Sequence, residues 1–117
     1  MSEQQGRVYV IFGAAGGIGS ALARRLSANG QNSLFLAGRN QARLDEICTE
    51  VRAVPQVVDT TSLSDVESCL QVALEKCGRI DGVANCVGSL LLKPLHLTSE
   101  SEWQATINTN LGSAFAV

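Results

Sequence analysis

Apolar and polar positions change their spacing along the chain, and these changes predict the order of the structural elements. A continuous apolar run over residues 8–12 is typical of a strand buried on both faces of a parallel sheet. Apolar residues then recur at helical spacing up to Leu26, and a second apolar run covers residues 33–37. This alternation continues along the chain and predicts right-handed βαβ units in one open parallel sheet.

The later elements are marked by their capping and turn residues. Asn40 is expected to cap the second helix, and Ser62 and Ser99 each open the pattern of a capping box. Pro55 begins a short third strand, which predicts an edge strand because proline donates no ladder hydrogen bond. A fourth strand is predicted over residues 80–87. The sequence therefore predicts an α/β, Rossmann-type doubly wound parallel sheet that stops after about four strands.

The last predicted helix, which begins after Ser99, does not end within the sequence. Trp103, Ile107 and Leu111 align on one apolar face, and the chain stops at Val117 without a glycine or a polar cap. A domain rarely finishes on an apolar helical face. We therefore interpret the chain as one incomplete domain that lacks its carboxyl-terminal half.

Composition and net charge limit the kinds of partner that the chain is expected to bind. The 117 residues are 45% hydrophobic and 17% charged with a net charge of −2, which predicts a packed core without a basic nucleic-acid-binding surface. No apolar stretch approaches the roughly 18 residues that span a bilayer, and the first residues have no signal-peptide core. We therefore expect a cytoplasmic protein with neither nucleic-acid nor membrane partners. The four cysteines lack C-x-x-C spacing and His96 is the single histidine, so no metal site is expected.

The turn after the first strand carries the first candidate chemistry. Its glycines follow the spacing Gly13-x-x-x-Gly17-x-Gly19, which permits a sharp turn and lets a ligand approach without a Cβ in the way. The helix that follows offers unpaired N–H groups and the positive end of its dipole to an anion. A phosphate group is therefore the expected ligand. The candidate residues of this turn are Gly13, Ala15, Gly16, Gly17, Ile18 and Gly19.

Further candidates follow the ends of the second, third and fourth strands. Arg39 stands where an acidic residue would favour NAD, and its guanidinium suits a 2′-phosphate, so NADP is favoured; a solvated arginine at a helix start is the alternative. Asp59 would accept a hydrogen bond from an adenine amino group or form an Asx turn, and its position leaves both open. Asn85 ends the fourth strand at the edge where open sheets bind ligands. The candidates at these three places are Arg39, Asn40, Asp59, Thr60, Asn85, Val87 and Gly88.

Together these signals resemble the short-chain dehydrogenase/reductase family. Residues 12–19 are similar to the family's Thr-Gly-x-x-x-Gly-x-Gly motif, Asp59 to its adenine-binding aspartate, and residues 85–88 to its Asn-Asn-Ala-Gly motif. Asn110, within Thr-Asn-Leu-Gly, looks like the asparagine that holds a water in the family's proton relay. The chain departs from the family pattern at Phe12, Cys86 and Val87.

The resemblance implies an NAD(P)-dependent oxidoreductase that passes a hydride between the nicotinamide and a carbonyl or alcohol substrate. Residues 1–117 would be its dinucleotide-binding half. The family's catalytic Ser, Tyr and Lys lie downstream of Asn110, and the single tyrosine here is Tyr9, so the chain alone is expected not to turn over substrate. The segment from Trp103 to Phe115 resembles a helix that the family often uses for subunit contact, which leaves a homo-oligomer open.

Two other interpretations stay open. A non-catalytic nucleotide-binding or interaction module would end naturally at Val117, although the unfinished helix and an unpaired edge beside the fourth strand argue against it. A methyltransferase-like α/β fold would need an acidic residue near the end of the second strand, where this chain has Arg39.

Overall fold

Four parallel strands form the sheet of this protein. A computed structural model describes residues 6–117; residues 1–5, where the sequence shows no signal-peptide core, lie outside the described residues. The strands are β1 (Val8–Phe12), β2 (Ser33–Gly38), β3 (Val54–Val57) and β4 (Gly82–Asn85). Their order across the sheet is β3-β2-β1-β4, with every neighbouring pair parallel. The predicted α/β doubly wound parallel sheet is therefore confirmed.

Helices connect the strands and begin at the predicted caps. The helices are α1 (Gly17–Ser27), α2 (Gln41–Val51), α3 (Leu63–Cys77), α4 (Glu100–Ile107) and α5 (Ser113–Ala116). At the start of α2, Asn40 Oδ1 accepts a hydrogen bond from the Arg43 N–H at 3.1 Å. At the start of α4, Ser99 and Glu102 form both bonds of a capping box. These caps satisfy N–H groups that have no partner within their helices.

The capping box predicted at Ser62 forms only in part. Ser62 Oγ accepts a hydrogen bond from the Asp65 N–H at 3.3 Å, as a cap should. The Asp65 carboxylate, however, accepts from the N–H of Asp59 at 3.1 Å rather than from Ser62. The Asp65 side chain, which would complete the capping box, therefore holds the turn that leads from β3 into α3 instead.

Two apolar clusters fill the two faces of the sheet. Side chains alternate along β1 and β2, so each of these central strands contributes to both clusters. α1 and α2 cover one face, and α3 covers the other. The first cluster includes Ile11, Ala23, Leu34, Leu36, Leu44 and Ile47. The second includes Val10, Phe12, Phe35, Val58, Val66 and Cys69.

The edge strands differ from the prediction in their bounds. β3 is an edge strand as predicted, but it begins at Val54, so Pro55 is its second residue. β4 is shorter than the predicted range 80–87 at both ends, and at its carboxyl end Asn85 Oδ1 accepts the Val87 N–H at 3.0 Å and forms a turn. The carboxyl end of β4 is thus a turn that faces the end of β1.

The last helical segment is irregular and largely exposed. α4 passes into α5 through a π-helical turn, Asn108–Gly112, which inserts an extra residue where the sequence predicts one regular helix. Trp103 is 56% exposed and Leu111 is 66% exposed, so the predicted apolar face is not buried within the described residues. Within residues 6–117, no helix combines the length and apolar character needed to cross a bilayer.

Candidate functional site

Backbone contacts tie the turn between β1 and α1 to the ends of β2 and β4. Gly13 has a φ of +76°, and the N–H groups of Gly13 and Ala14 donate to the Ala37 carbonyl at 2.9 and 3.1 Å. A Cβ on Gly13 would lie 2.7 Å from the Cys86 backbone after β4. Phe12, where the family has threonine, is fully buried in the core. The turn is therefore held without the hydroxyl that Phe12 lacks.

The motif glycines serve two different purposes. A Cβ on Gly19 would lie 2.2 Å from the Gly13 carbonyl oxygen, so Gly19 lets α1 pack against the turn. A Cβ on Gly17 would meet nothing within 4 Å. Gly16 precedes α1 as its N-cap and makes no side-chain cap bond. The first turn of α1 therefore keeps open space at Gly17, where the helix N–H groups lack intrahelical partners.

Two adjoining clefts follow the carboxyl ends of β1, β2 and β4. One has a volume of about 340 Å³ and reaches the end of β2, where Gly38, Arg39 and Thr60 line it. The other, of about 670 Å³, extends past Ile18 to Asn110. Ligands bind at this edge of open parallel sheets. Both clefts are lined by Gly16, Cys86, Val87, Gly88 and Ser89.

Asp59 forms the Asx turn that the sequence left as one of two alternatives. Its Oδ1 accepts hydrogen bonds from the Thr61 N–H at 3.0 Å and the Thr61 hydroxyl at 2.7 Å. These bonds, with a smaller effect of the Arg39 charge, hold the pKa of Asp59 below its ordinary value. Thr60, rather than Asp59, lines the cleft beside β2. The turn is confirmed, and an adenine contact by Asp59 stays a prediction.

Asn85 braces the turn after β4. Its Oδ1 accepts the Val87 N–H, and its Nδ2 donates to the Ser113 hydroxyl at 3.4 Å. Ser113 is fully buried, and its hydroxyl donates in turn to the Asn110 carbonyl at 3.3 Å. The sheet edge and the start of α5 are thus joined through one buried hydroxyl group.

Asn110 holds the loop that lines the larger cleft. It lies in the π-helical turn, and its Nδ2 donates to the Thr106 carbonyl at 2.9 Å and to the Ser89 carbonyl at 3.2 Å. Its Oδ1 accepts the Ser89 N–H at 3.0 Å. A Cβ on Gly88 would lie 3.4 Å from the same Oδ1. The Asn110 side chain therefore holds residues 88–89 in place in this structure, and its predicted catalytic role stays a prediction.

The structure brings most of the predicted site residues to the clefts, but not all. Ala15 lies on the other side of the glycine turn, where it lines a third cleft between α1 and α2. Asn40 uses its side-chain oxygen to cap α2. The predicted residues that line the two clefts are Gly13, Gly16, Gly17, Ile18, Arg39, Thr60, Asn85, Val87, Gly88 and Asn110.

Sequence reasoning missed three polar residues of the site: Ser89, Thr109 and Ser113. Ser89 and Thr109 line the clefts, and Ser113 links Asn85 to the Asn110 carbonyl. Of these three, only Ser113 could have been found from the sequence. It is a polar residue in an apolar run, and its spacing of three from Asn110 places both residues on one helical face.

The cysteines occupy different environments. Cys48 and Cys69 are buried, and burial raises the pKa of each thiol to about 11, so both are inert core residues. Cys86 lines both clefts, and Cys77 is exposed. Among residues 6–117, no three His, Cys, Asp or Glu side chains are grouped closely enough to hold a metal ion.

Comparison with known proteins identifies the family to which this chain is similar. Residues 7–117 match the family model described as short chain dehydrogenase. An uncharacterized oxidoreductase of Staphylococcus epidermidis is 34% identical over 113 residues, which is 95% of this chain and 49% of the relative. The chain thus spans about half the length of the curated relatives it matches.

Solved structures share the fold. An actinorhodin polyketide ketoreductase with NADPH superposes with a TM-score of 0.89 at 26% identity, covering 96% of this chain and 44% of the other. A 3-ketoacyl-(acyl-carrier-protein) reductase from Brucella melitensis, complexed with NADH, gives 0.86 at 23% identity, with coverages of 96% and 47%. At 23% identity, the similarity to the Brucella melitensis structure shows a shared fold and nothing further. Because the family model matches nearly the whole chain, the protein belongs to the short-chain dehydrogenase family.

Proposed function

We propose that this chain is the dinucleotide-binding portion of an NAD(P)-dependent oxidoreductase, with NADP preferred. The observation that carries the proposal is the open first turn of α1 at Gly16 and Gly17, which borders the larger cleft at the carboxyl edge of the sheet. Family membership supports the same function, because short-chain dehydrogenases use a nicotinamide cofactor.

The start of α1 suits a pyrophosphate. Its first turn contains no acidic side chain, and Gly16 makes no side-chain cap bond. The positive end of the helix dipole and the free N–H groups of this turn therefore remain available to an anion. The open space at Gly17 lets phosphate oxygens approach the backbone closely.

The end of β2 supports the preference for NADP. Arg39 is exposed there and lines the smaller cleft beside Gly38. A guanidinium binds phosphate through two parallel hydrogen bonds, so Arg39 would pair with the 2′-phosphate of NADP. The ribose of NAD offers no such group.

The residues of the larger cleft would orient the nicotinamide, which supplies the hydride donor or acceptor when the cofactor is bound. Ile18 is 79% exposed and gives the ring an apolar surface. Asn110 fixes the loop at Ser89 on the opposite side through three hydrogen bonds to that residue's backbone and hydroxyl. Among residues 6–117, no tyrosine or lysine lines either cleft, so we expect that the chain alone does not turn over a carbonyl substrate.

A titration of the full chain with NADPH and NADH tests the proposal. We expect both to bind, NADPH more tightly, as measured by calorimetry and by the fluorescence of the reduced nicotinamide. The variant Gly17→Val should abolish binding of both cofactors because its side chain would occupy the open space above α1. Ala21→Val adds bulk to an exposed position farther along α1 and serves as the matched control.

Two results would contradict the proposal. If wild-type chain bound neither cofactor, a non-catalytic interaction module would become the better interpretation. If Gly17→Val bound both cofactors as well as the wild type does, the glycine turn would not be the phosphate site.

A further inference from the structure

Ser113 is fully buried at the start of α5, although it belongs to a largely exposed helical segment. Its neighbours in the sequence are more accessible, since Gly112 is half-buried and Ala114 is exposed. A hydroxyl group that is removed from water lowers stability unless it forms hydrogen bonds within the protein. The position of Ser113 therefore requires partners, and both of its partners belong to the candidate site.

The Ser113 hydroxyl group accepts one hydrogen bond and donates another. Asn85 Nδ2 donates to Ser113 Oγ at 3.4 Å, and Ser113 Oγ donates to the Asn110 carbonyl at 3.3 Å. The direction of these bonds is set by Asn85, because its Oδ1 accepts the Val87 N–H and its Nδ2 must therefore be the donor to Ser113. This place thus requires a side chain that accepts and donates at the same time, as a hydroxyl group does.

The two asparagines that this hydroxyl group joins hold opposite ends of one loop, residues 86–89. Near the beginning of the loop, Asn85 Oδ1 accepts the Val87 N–H at 3.0 Å. At its end, Asn110 accepts the Ser89 N–H at 3.0 Å and donates to the Ser89 carbonyl at 3.2 Å. All four residues of the loop line both clefts. The buried hydroxyl group therefore connects two contacts that set the shape of the wall shared by the clefts.

We propose that Ser113 is a positioning residue for cofactor binding, which acts through Asn85. Its hydroxyl group fixes the Asn85 side chain against the last helical segment, and Asn85 in turn holds residues 86–89 at the clefts. This inference rests on the proposed function. Because Ser113 is fully buried, it acts on a cofactor only through these partners, and it therefore affects NADPH and NADH equally.

Ser113→Ala tests the proposal, because it removes the hydroxyl group and keeps the Cβ. We expect calorimetric titration to show that NADPH and NADH each bind about fivefold more weakly, as for the loss of one neutral hydrogen bond. The ratio of the two affinities should stay the same, since the 2′-phosphate is not involved. Ser99→Ala is the matched control: it also removes a serine hydroxyl from this part of the chain, but the Ser99 hydroxyl bonds to Ser101 and Glu102. It should leave both affinities unchanged.

A double variant shows whether Ser113 acts through Asn85. If it does, Asn85→Ala combined with Ser113→Ala should bind both cofactors as weakly as Asn85→Ala alone, because the partner of the hydroxyl group is already absent. Additive losses in the double variant would overturn the inference. Unchanged affinities in Ser113→Ala, or an equal loss in Ser99→Ala, would also overturn it.

Amide hydrogen exchange tests the same positioning without a cofactor. The Val87 N–H bonds to Asn85 Oδ1, so Ser113→Ala should accelerate its exchange more than that of the Val10 N–H in the central strand β1. An increase at Val87 no larger than the increase at Val10 would overturn the inference, because a general loss of stability would then explain it. Failure of the wild-type chain to bind either cofactor would instead refute the proposed function, and the exchange comparison would then decide alone whether Ser113 positions the loop.

Discussion

Within residues 6–117, α1 and α2 start beside the clefts without an acidic side chain in the first turn, whereas α3 and α4 start with acidic first turns. α1 and α2 have no acidic residue in the first turn, and α2 is flanked by Arg39 and Arg43. α3 has a serine cap with Asp65 in its first turn, and α4 has a serine cap with Glu100 and Glu102. Acidic side chains thus offset the helix dipole at α3 and α4, whereas the first turns of α1 and α2 contain none.

Under the proposed function, the difference separates helix starts that carry their own acidic side chain from those that leave the positive end of the dipole available to an anion. Substitutions at α3 and α4 are expected to change the free energy of unfolding and to leave cofactor affinity unchanged. Substitutions at the open starts of α1 and α2 are expected to change affinity, except where a residue also packs the turn. Four changes test this distinction, from the largest expected effect to the smallest.

Gly19→Ala should lower stability although it lies at the start of α1, because Gly19 packs closely against the turn. The new Cβ would lie 2.2 Å from a backbone oxygen, which can move only with the strand end. We expect a loss of about 3 kcal/mol in the free energy of unfolding, measured by urea denaturation. Gly17→Ala, two residues earlier, should change it by less than about 0.5 kcal/mol. Equal stabilities for the two variants would contradict the packing role of Gly19.

Arg39→Asp should change cofactor affinity at the start of α2. The change removes a phosphate-binding guanidinium and places a carboxylate beside the 2′-phosphate of NADP, while it offers an acceptor to the ribose hydroxyls of NAD. We expect the ratio of NADPH to NADH affinity to fall about 100-fold, measured by calorimetric titration of both cofactors. Arg25→Asp should leave the ratio unchanged. An unaltered ratio in Arg39→Asp would remove Arg39 from the cofactor site.

Ser99→Ala tests a helix start that the chain stabilises by itself. The substitution removes the oxygen that accepts the Glu102 N–H at 3.2 Å. We expect a loss of about 1 kcal/mol in the free energy of unfolding and no change in cofactor affinity. Ser68→Ala, at an exposed position within α3, is the control and should have almost no effect. A change in affinity in Ser99→Ala would show that this cap also serves the site.

The smallest expected effect is the loss, at low pH, of the stability that the ionised Glu102 carboxylate contributes. The Ser99 N–H, and then the Lys93 ammonium, lower the pKa of Glu102 from 4.5 to about 2. Because the folded pKa is depressed, this stabilisation is present above pH 4.5 and is lost as the pH falls toward 2. Thermal unfolding of the wild type and Glu102→Gln should therefore differ at pH 6 and converge near pH 2. A constant difference across this range would exclude the ionised carboxylate as the cause.

The sequence predicted the parts of this molecule that depend on local chemistry. The alternation of strands and helices, the Asn40 and Ser99 caps and the edge position of β3 follow from apolar runs, capping residues and Pro55. The Asn110 contacts did not follow, because the π-helical turn and the distant Ser89 bring them about. The third cleft depends on the approach of α1 to α2, which no local pattern encodes.

The same distinction applies within the glycine motif. Its spacing predicted a sharp turn, but it did not separate Gly19, which packs the turn, from Gly17, which leaves open space. That separation depends on where the Gly13 carbonyl points after the chain has folded. Likewise, the choice between the two roles of Asp59 needed the position of Thr61.

The backbone hydrogen bonds of the glycine turn have a consequence for how this protein can change over time. The Ala37 carbonyl accepts from both Gly13 and Ala14, and neighbouring backbone atoms leave no room for a Cβ on Gly13 or Gly19. The shape of the anion site is therefore inherited with the topology of the sheet, not with particular side chains. A cleft-lining side chain beside the turn, such as Cys86, can be exchanged while the backbone shape of the turn persists.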